Sequence, residues 1–210
     1  MIDHNGITNA VNEALKEKGK KKFKQTVDLS INFKNIDFKK PENRINMDIV
    51  LPEGRGKEIE IVIFTDNPQT QLEAKKANLK VYGASEIEKL AEEPKKLKKI
   101  AASAEFLADP KLMATVGKHL GKVLGVTNKL PRPLSGPLTP AVATAKKRVR
   151  LSTKGKYLPV IHCPVGSEDM DPNKIAQNIE VVFEKLKTKV SEQNIKSAYV
   201  KLTMGKPVKI

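Results

Sequence analysis

The chain has 210 residues and carries 39 Lys/Arg against 24 Asp/Glu, a formal net charge of +15; it has room for one large domain or two small ones, and its default partner is a polyanion. A single cysteine, Cys163, excludes an intramolecular disulfide, and the absence of a signal pattern or a run of about 18 apolar residues makes a cytoplasmic protein with no membrane span the expectation. Tryptophan is absent and only nine residues are Phe or Tyr, which argues against a module that works by stacking bases on aromatic rings.

In chain order, residues 3–18 read as a helix with Ile7, Val11, Ala14 and Leu15 on one side and Gly19 as its stop. A basic run from Lys18 to Lys24 leads into a strand in which Val27, Leu29, Ile31 and Phe33 alternate with Thr26, Asp28, Ser30 and Asn32, giving a small, hydrogen-bonding outer face. A third element, Arg44 to Leu51, is a strand closed by the turn Pro52-Glu53-Gly54-Arg55-Gly56-Lys57. The texture then changes. Ile59 to Phe64 is a nearly continuous β-branched run, as in a strand buried on both faces, and helix, strand and helix follow. Residues 68–78 read as helix and 79–82 as strand, and Ser85-Glu86-Ile87-Glu88 reads as a capping box. Residues 105–108 form a short strand, Asp109-Pro110 opens a helix to His119, and residues 125–140 are loop. Thr139-Pro140 starts another helix and 149–152 is a strand. After residue 159 the earlier style returns: Asp171-Pro172 caps a long helix with Ile175, Ile179, Val182, Phe183, Leu186 and Val190 at helical spacing. The chain closes on a strand, Ser197 to Gly205, with Ala198, Val200, Leu202 and Met204 on one face and Tyr199, Lys201 and Thr203 on the other.

The first and last elements share a character that the middle lacks. The expectation is an α/β protein of two domains: a split α+β domain, residues 1–65 with 160–210, and an inserted three-layer Rossmann-like α/β domain, residues 66–159. Residues 1–64 carry twelve basic against ten acidic side chains, 65–158 nineteen against eight, and 159–210 eight against six, or +2, +11 and +2. By charge alone, the inserted domain is the electrostatic anchor.

No catalytic constellation emerges. His4, His119 and His162 are far apart, and no His/Cys spacing suits a metal, so no metal site and no cofactor are expected. Gly54-Arg55-Gly56-Lys57 lacks the spacer and the Ser/Thr of a phosphate-binding P-loop. Thr65-Asp66-Asn67-Pro68 follows the buried strand where a dinucleotide fingerprint would place glycines. Lys95-Lys96-Leu97-Lys98-Lys99 and Lys146-Lys147-Arg148 with Arg150 are solvated basic faces able to touch phosphate without reading sequence.

Four blocks in register carry a resemblance: Lys22-Phe23-Lys24-Gln25-Thr26-Val27-Asp28, Pro41-Glu42-Asn43-Arg44, Leu51-Pro52-Glu53-Gly54-Arg55-Gly56-Lys57, and Ser197-Ala198-Tyr199-Val200 ending in Thr203-Met204-Gly205. Together they resemble the ribosomal protein L-one family, in its archaeal form, from end to end. The resemblance implies a non-enzymatic protein of the large ribosomal subunit that needs no cofactor and is a monomer off the ribosome. It implies a split domain that binds the mobile stalk of large-subunit rRNA, and an inserted domain able to move. It further implies a role in releasing deacylated tRNA from the exit site, and repression of translation of the protein's own mRNA. Carried over by position, it places Lys22, Phe23, Thr26, Asp28, Ser197, Thr203, Met204 and Gly205 at the RNA surface. Hydroxyls and a carboxylate on a sheet face suit 2′-hydroxyls and base edges, whereas lysines read phosphate. Arg44 and Arg55 are added as phosphate ligands. One departure stands out: the family's Gly-Pro-Arg-Gly-Lys-Met-Pro loop reads Gly125-Val126-Thr127-Asn128-Lys129-Leu130-Pro131 here. The rival readings are an α/β enzyme acting on a nucleotide or nucleic acid through the inserted domain, and an RNA-binding regulator that never joins a ribosome.

Overall fold

The computed structural model describes residues 4–153 and 158–210. In chain order these form α1 (His4–Leu15), β1 (Thr26–Phe33), β2 (Asn46–Val50), β3 (Glu60–Phe64), α2 (Pro68–Lys76), β4 (Lys80–Tyr82), α3 (Ala84–Glu92), α4 (Pro94–Ser103) and β5 (Ala104–Ala108). There follow α5 (Met113–Leu124), β6 (Arg132–Pro133), α6 (Leu138–Lys147), β7 (Arg148–Ser152), β8 (Val160–Ser167), α7 (Pro172–Lys187), β9 (Ile195–Leu202) and β10 (Val208–Lys209). Two compact units result, one made of Met1–Lys57 with Lys147–Ile210 and the other of Glu58–Lys146.

In the split unit, β1 lies between β8 and β9 in an antiparallel sheet of order β10-β9-β1-β8. Its alternation is strict: Val27, Leu29, Ile31 and Phe33 are buried and the residues between them are half-exposed. The buried face packs on α1 and α7, whose Ile7, Val11, Ile175, Ile179, Val182 and Leu186 join the same core. The start of α7 follows from Asp171, whose carboxylate accepts the Asn173 N–H at 2.7 Å, and from Pro172 in the first turn. The ribbon β2-β7 adds Ile49, Leu51, Val149 and Leu151 to this core.

The inserted unit is a parallel sheet, β4-β3-β5-β6, with helices on both faces. The β-branched run is read directly in its packing. Val62 and Phe64 point to α3, α4 and α5, while Ile61 and Ile63 point to Ala74 of α2 and to Leu138 and Ala145 of α6.

Several expectations shift. Of the helix expected over 3–18, residue 3 lies outside the described residues and the helix ends at Leu15. The cap near residue 85 is Gly83, whose N–H the Glu86 carboxylate accepts at 2.9 Å, and Pro94 divides the helical stretch into α3 and α4. The helix after Asp109 begins only at Met113, and β6, β8 and β10 were not anticipated as strands. The closing strand stops at Leu202, and Thr203 to Gly205 turn.

The seams also differ from the expected 65/66 and 159/160. β3 pairs with β4 and β5 of the inserted unit, and β7 pairs with β2 of the split unit, so the divisions fall at 57/58 and 146/147. The charge moves with them. The split unit carries twenty-five Lys/Arg against fourteen Asp/Glu, or +11, and the inserted unit fourteen against ten, or +4.

Candidate nucleic-acid interface

The outer face of the split unit's sheet is a polar strip. Register places Lys201, Asp28 and Pro164 in one row, Tyr199, Ser30 and His162 in the next, and Ser197, Asn32 and Val160 in the third. At one end the ladder is replaced by side-chain stitching. Thr203 Oγ1 accepts the Thr26 N–H at 3.1 Å and donates to the Thr26 carbonyl at 3.2 Å, and that same carbonyl accepts the Thr203 N–H at 3.0 Å. The Met204 N–H donates to Gln25 Oε1 at 3.1 Å, the Gly205 N–H to the Leu202 carbonyl at 2.9 Å, and the Lys206 N–H to Glu17 Oε2 at 3.2 Å. These bonds hold a turn whose apolar side chain faces outward: Met204 is 63% exposed, and Phe23, before the paired strand, 51%. Exposed side chains of that size on a fixed backbone suit a partner surface.

Asp28 is the carboxylate of the strip. Burial pushes its pKa up, while Lys201, His162 and Lys57 pull the other way. Lys24 and Asp169 pair at 2.9 Å, which raises the lysine and lowers the carboxyl. Lys22 is exposed beside them.

Most of the expected residues are thereby brought together: Lys22, Phe23, Thr26, Asp28, Thr203, Met204 and Gly205 share one end of the strip. Ser197 is on the same face but at the other end, where its Oγ accepts from Asn32 Nδ2 at 3.1 Å, six residues or ~20 Å along β1 from Thr26. Arg44 belongs elsewhere. Its Nε and Nη2 donate to the Phe38 and Lys39 carbonyls at 3.4 and 3.2 Å, and it lines a polar cleft with Asn35, Asp37 and Lys189 beyond the far end of β1. Two of the five guanidinium N–H groups thus hold a turn at the end of the sheet away from Thr26. Arg55 is half-buried in the turn after β2, where Gly54 and Gly56 have φ of +71° and +66°.

That turn is fixed by Asn178, which the sequence did not single out. The side chain is fully buried on α7, accepts the Glu53 N–H at 3.1 Å, and donates to the carbonyls of Gly54 and Val165 at 2.9 and 2.8 Å. Gln25 and Glu17, which buttress the Met204 turn, were missed as well, since a single polar residue before a strand or at a helix end gives no periodic signal. His162 was missed because its strand was. Ser30, Asn32, Tyr199 and Lys201 were visible in the alternation.

In the inserted unit, the strand end where an α/β enzyme would bind its ligand is closed by its own bonds. Asp66 Oδ1 accepts the Ala84 N–H at 2.8 Å, and Gln71 Nε2 donates to the Thr65 carbonyl at 2.8 Å. In the divergent loop, Lys129 Nζ is tied to the Ala104 carbonyl and Glu105 Oε1, and Val126 is exposed.

Residues 15–206 match the model of the ribosomal protein L1p/L10e family. The chain belongs to that family. Among its L1 relatives are the large ribosomal subunit protein uL1 of Thermococcus kodakarensis and of Pyrococcus abyssi. Each is 40% identical over all of this chain, which covers 98% and 97% of the relatives. That of Methanothermococcus thermolithotrophicus is 39% identical, again over the whole chain and 99% of the relative. The L1 relatives are of archaeal type, and they are ribosomal proteins by name, so the enzyme alternative falls. All four blocks that carry the resemblance lie inside the matched residues, the Thr203 turn included. No described helix is long and apolar enough to cross a membrane.

Proposed function

We propose that this protein is a constituent of the large ribosomal subunit in the cytoplasm that binds the folded stalk of large-subunit rRNA through the outer face of its split unit. The observation that carries the reading is the Thr26–Thr203 stitch: a hydrogen-bonded turn sets Met204, with Phe23, Asp28 and backbone groups, on the outer face of the split unit, whose net charge as a whole is +11. Charge supplies attraction to phosphate, and the fixed hydroxyl and apolar groups supply choice of fold, since RNA is distinguished by shape, 2′-hydroxyls and unstacked bases.

Two further roles belong to the same proposal and are supported by family membership: helping deacylated tRNA leave the exit site, and repressing translation of the protein's own mRNA. Repression needs the mRNA to present the stalk fold to the same strip, so one surface serves both RNAs in competition.

The test is equilibrium binding of the full chain to a stalk-RNA fragment and to a scrambled control at two salt concentrations. Thr203→Val is expected to weaken stalk binding about tenfold or more while leaving scrambled RNA nearly unchanged. Equal loss on both RNAs, or none, would oppose the reading.

A further inference from the structure

Beside the Met204 turn is a cleft of about 160 Å3 lined by Glu17, Lys20, Lys21, Gln25 and Met204. That is room for several waters or for one flat ring system. Its groups differ in kind from those of the strip. Gln25 is only 2% exposed; its Oε1 holds the Met204 N–H, and its Nε2 donates to the buried Glu168 at 3.3 Å, which leaves one amide hydrogen uncommitted. Glu17 is fixed by the Lys206 N–H and meets Lys20 at 3.7 Å. Met204 contributes a polarizable thioether, which makes favourable contacts with aromatic rings. Lys21 is exposed and makes no ion pair among the described residues.

We propose, resting on the RNA reading above, that this cleft is a subsite for one unstacked nucleotide of the bound RNA. The base lies against Met204, the Glu17 carboxylate accepts from an exocyclic amine, the Gln25 amide donates to the adjoining ring nitrogen, and Lys20 and Lys21 hold the 5′-phosphate. A carboxylate beside an amide N–H matches the donor-then-acceptor edge of adenine or cytosine. Uracil has no amine there and meets the carboxylate with a carbonyl. The cleft is thus a base-selective element next to a surface that otherwise reads shape.

The experiment titrates 5′-AMP, 5′-CMP, 5′-UMP and inorganic phosphate into isotope-labelled full-length protein, following the Gln25 side-chain amide and the Met204 methyl by NMR. The expected result is saturable shifts of both signals with AMP or CMP, about tenfold weaker response to UMP, and no Gln25 shift with phosphate. Glu17→Gln keeps an acceptor for the Lys206 N–H and is expected to erase the preference over UMP. Lys20→Gln with Lys21→Gln should weaken all three nucleotides together. Equal shifts from all nucleotides and phosphate would reduce the cleft to an anion site, and no shift at Gln25 would remove it. Stalk-RNA binding is measured on the same variants. If that binding is selective and depends on Thr203 while no nucleotide enters the cleft, only this inference fails; if the RNA is not selected at all, the proposed function fails with it.

Discussion

At the scale of single residues, the structure separates groups that meet a partner from groups that hold the frame. Asn178 holds the frame. Its three hydrogen bonds are each worth about 1 kcal/mol, and removing the amide strands a buried N–H and two carbonyls. Asn178→Leu is expected to lower stability by about 3 kcal/mol in urea unfolding and to loosen the turn that carries Arg55. Gly56 has φ of +66°, and a Cβ there would meet the Met170 sulfur and Ser167 Cβ, so Gly56→Ala is expected to cost about 1–3 kcal/mol. Cys163 is buried and its thiol is pushed up to about 12. It should resist alkylation at pH 8 in the native protein and react only with unfolding, since the thiolate is the reactive form. Asp28 titrates the other way from a salt-bridged carboxylate. Its folded pKa is raised above its unfolded value, so the native state holds the proton more tightly, and stability falls as pH rises through the window between the two. Asp28→Asn should therefore raise the melting temperature at neutral pH, with the gain vanishing below the ordinary carboxylate range.

At the scale of elements, alternation was the informative signal. β1 and β9 were legible because one face is buried against α1 and α7 and the other is wet, which imposes period two on residue choice. The same signal misplaced Met204, which continues the apolar phase of Ala198, Val200 and Leu202 and yet stands outward. The strand ends at Leu202 because Thr203 spends its side chain on Thr26, and no periodicity encodes that exchange. β8 was overlooked because His162, Pro164 and Gly166 break the pattern of strand formers, although its pairing with β1 is what centres the strip. Arg44 was chosen for its charge alone, and the alternation gave no sign that two of its donors hold the Phe38 and Lys39 carbonyls.

At the scale of the molecule, the fold class was readable from the change of texture between antiparallel and parallel elements, but the seams were not, because a strand does not announce which sheet it joins. Their position decides the electrostatics. With β7 and residues 147–159 counted in the split unit, +11 of the total +15 lies on the unit that bears the strip, where the expected division had put it on the other unit. The salt dependence of RNA binding should follow the split unit accordingly. Lys22→Gln is expected to reduce the slope of log K against log salt by about 1, while neutralising Lys98 and Lys99 of the inserted unit leaves it nearly unchanged.

The most direct test of the strip as the recognition surface is hydrogen exchange of the full chain with and without a stalk-RNA fragment, at a salt concentration where scrambled RNA no longer binds. New protection concentrated in residues 22–28 and 203–205 is expected. Protection confined to the lysine-rich α4, with the Thr203 turn unchanged, would contradict it.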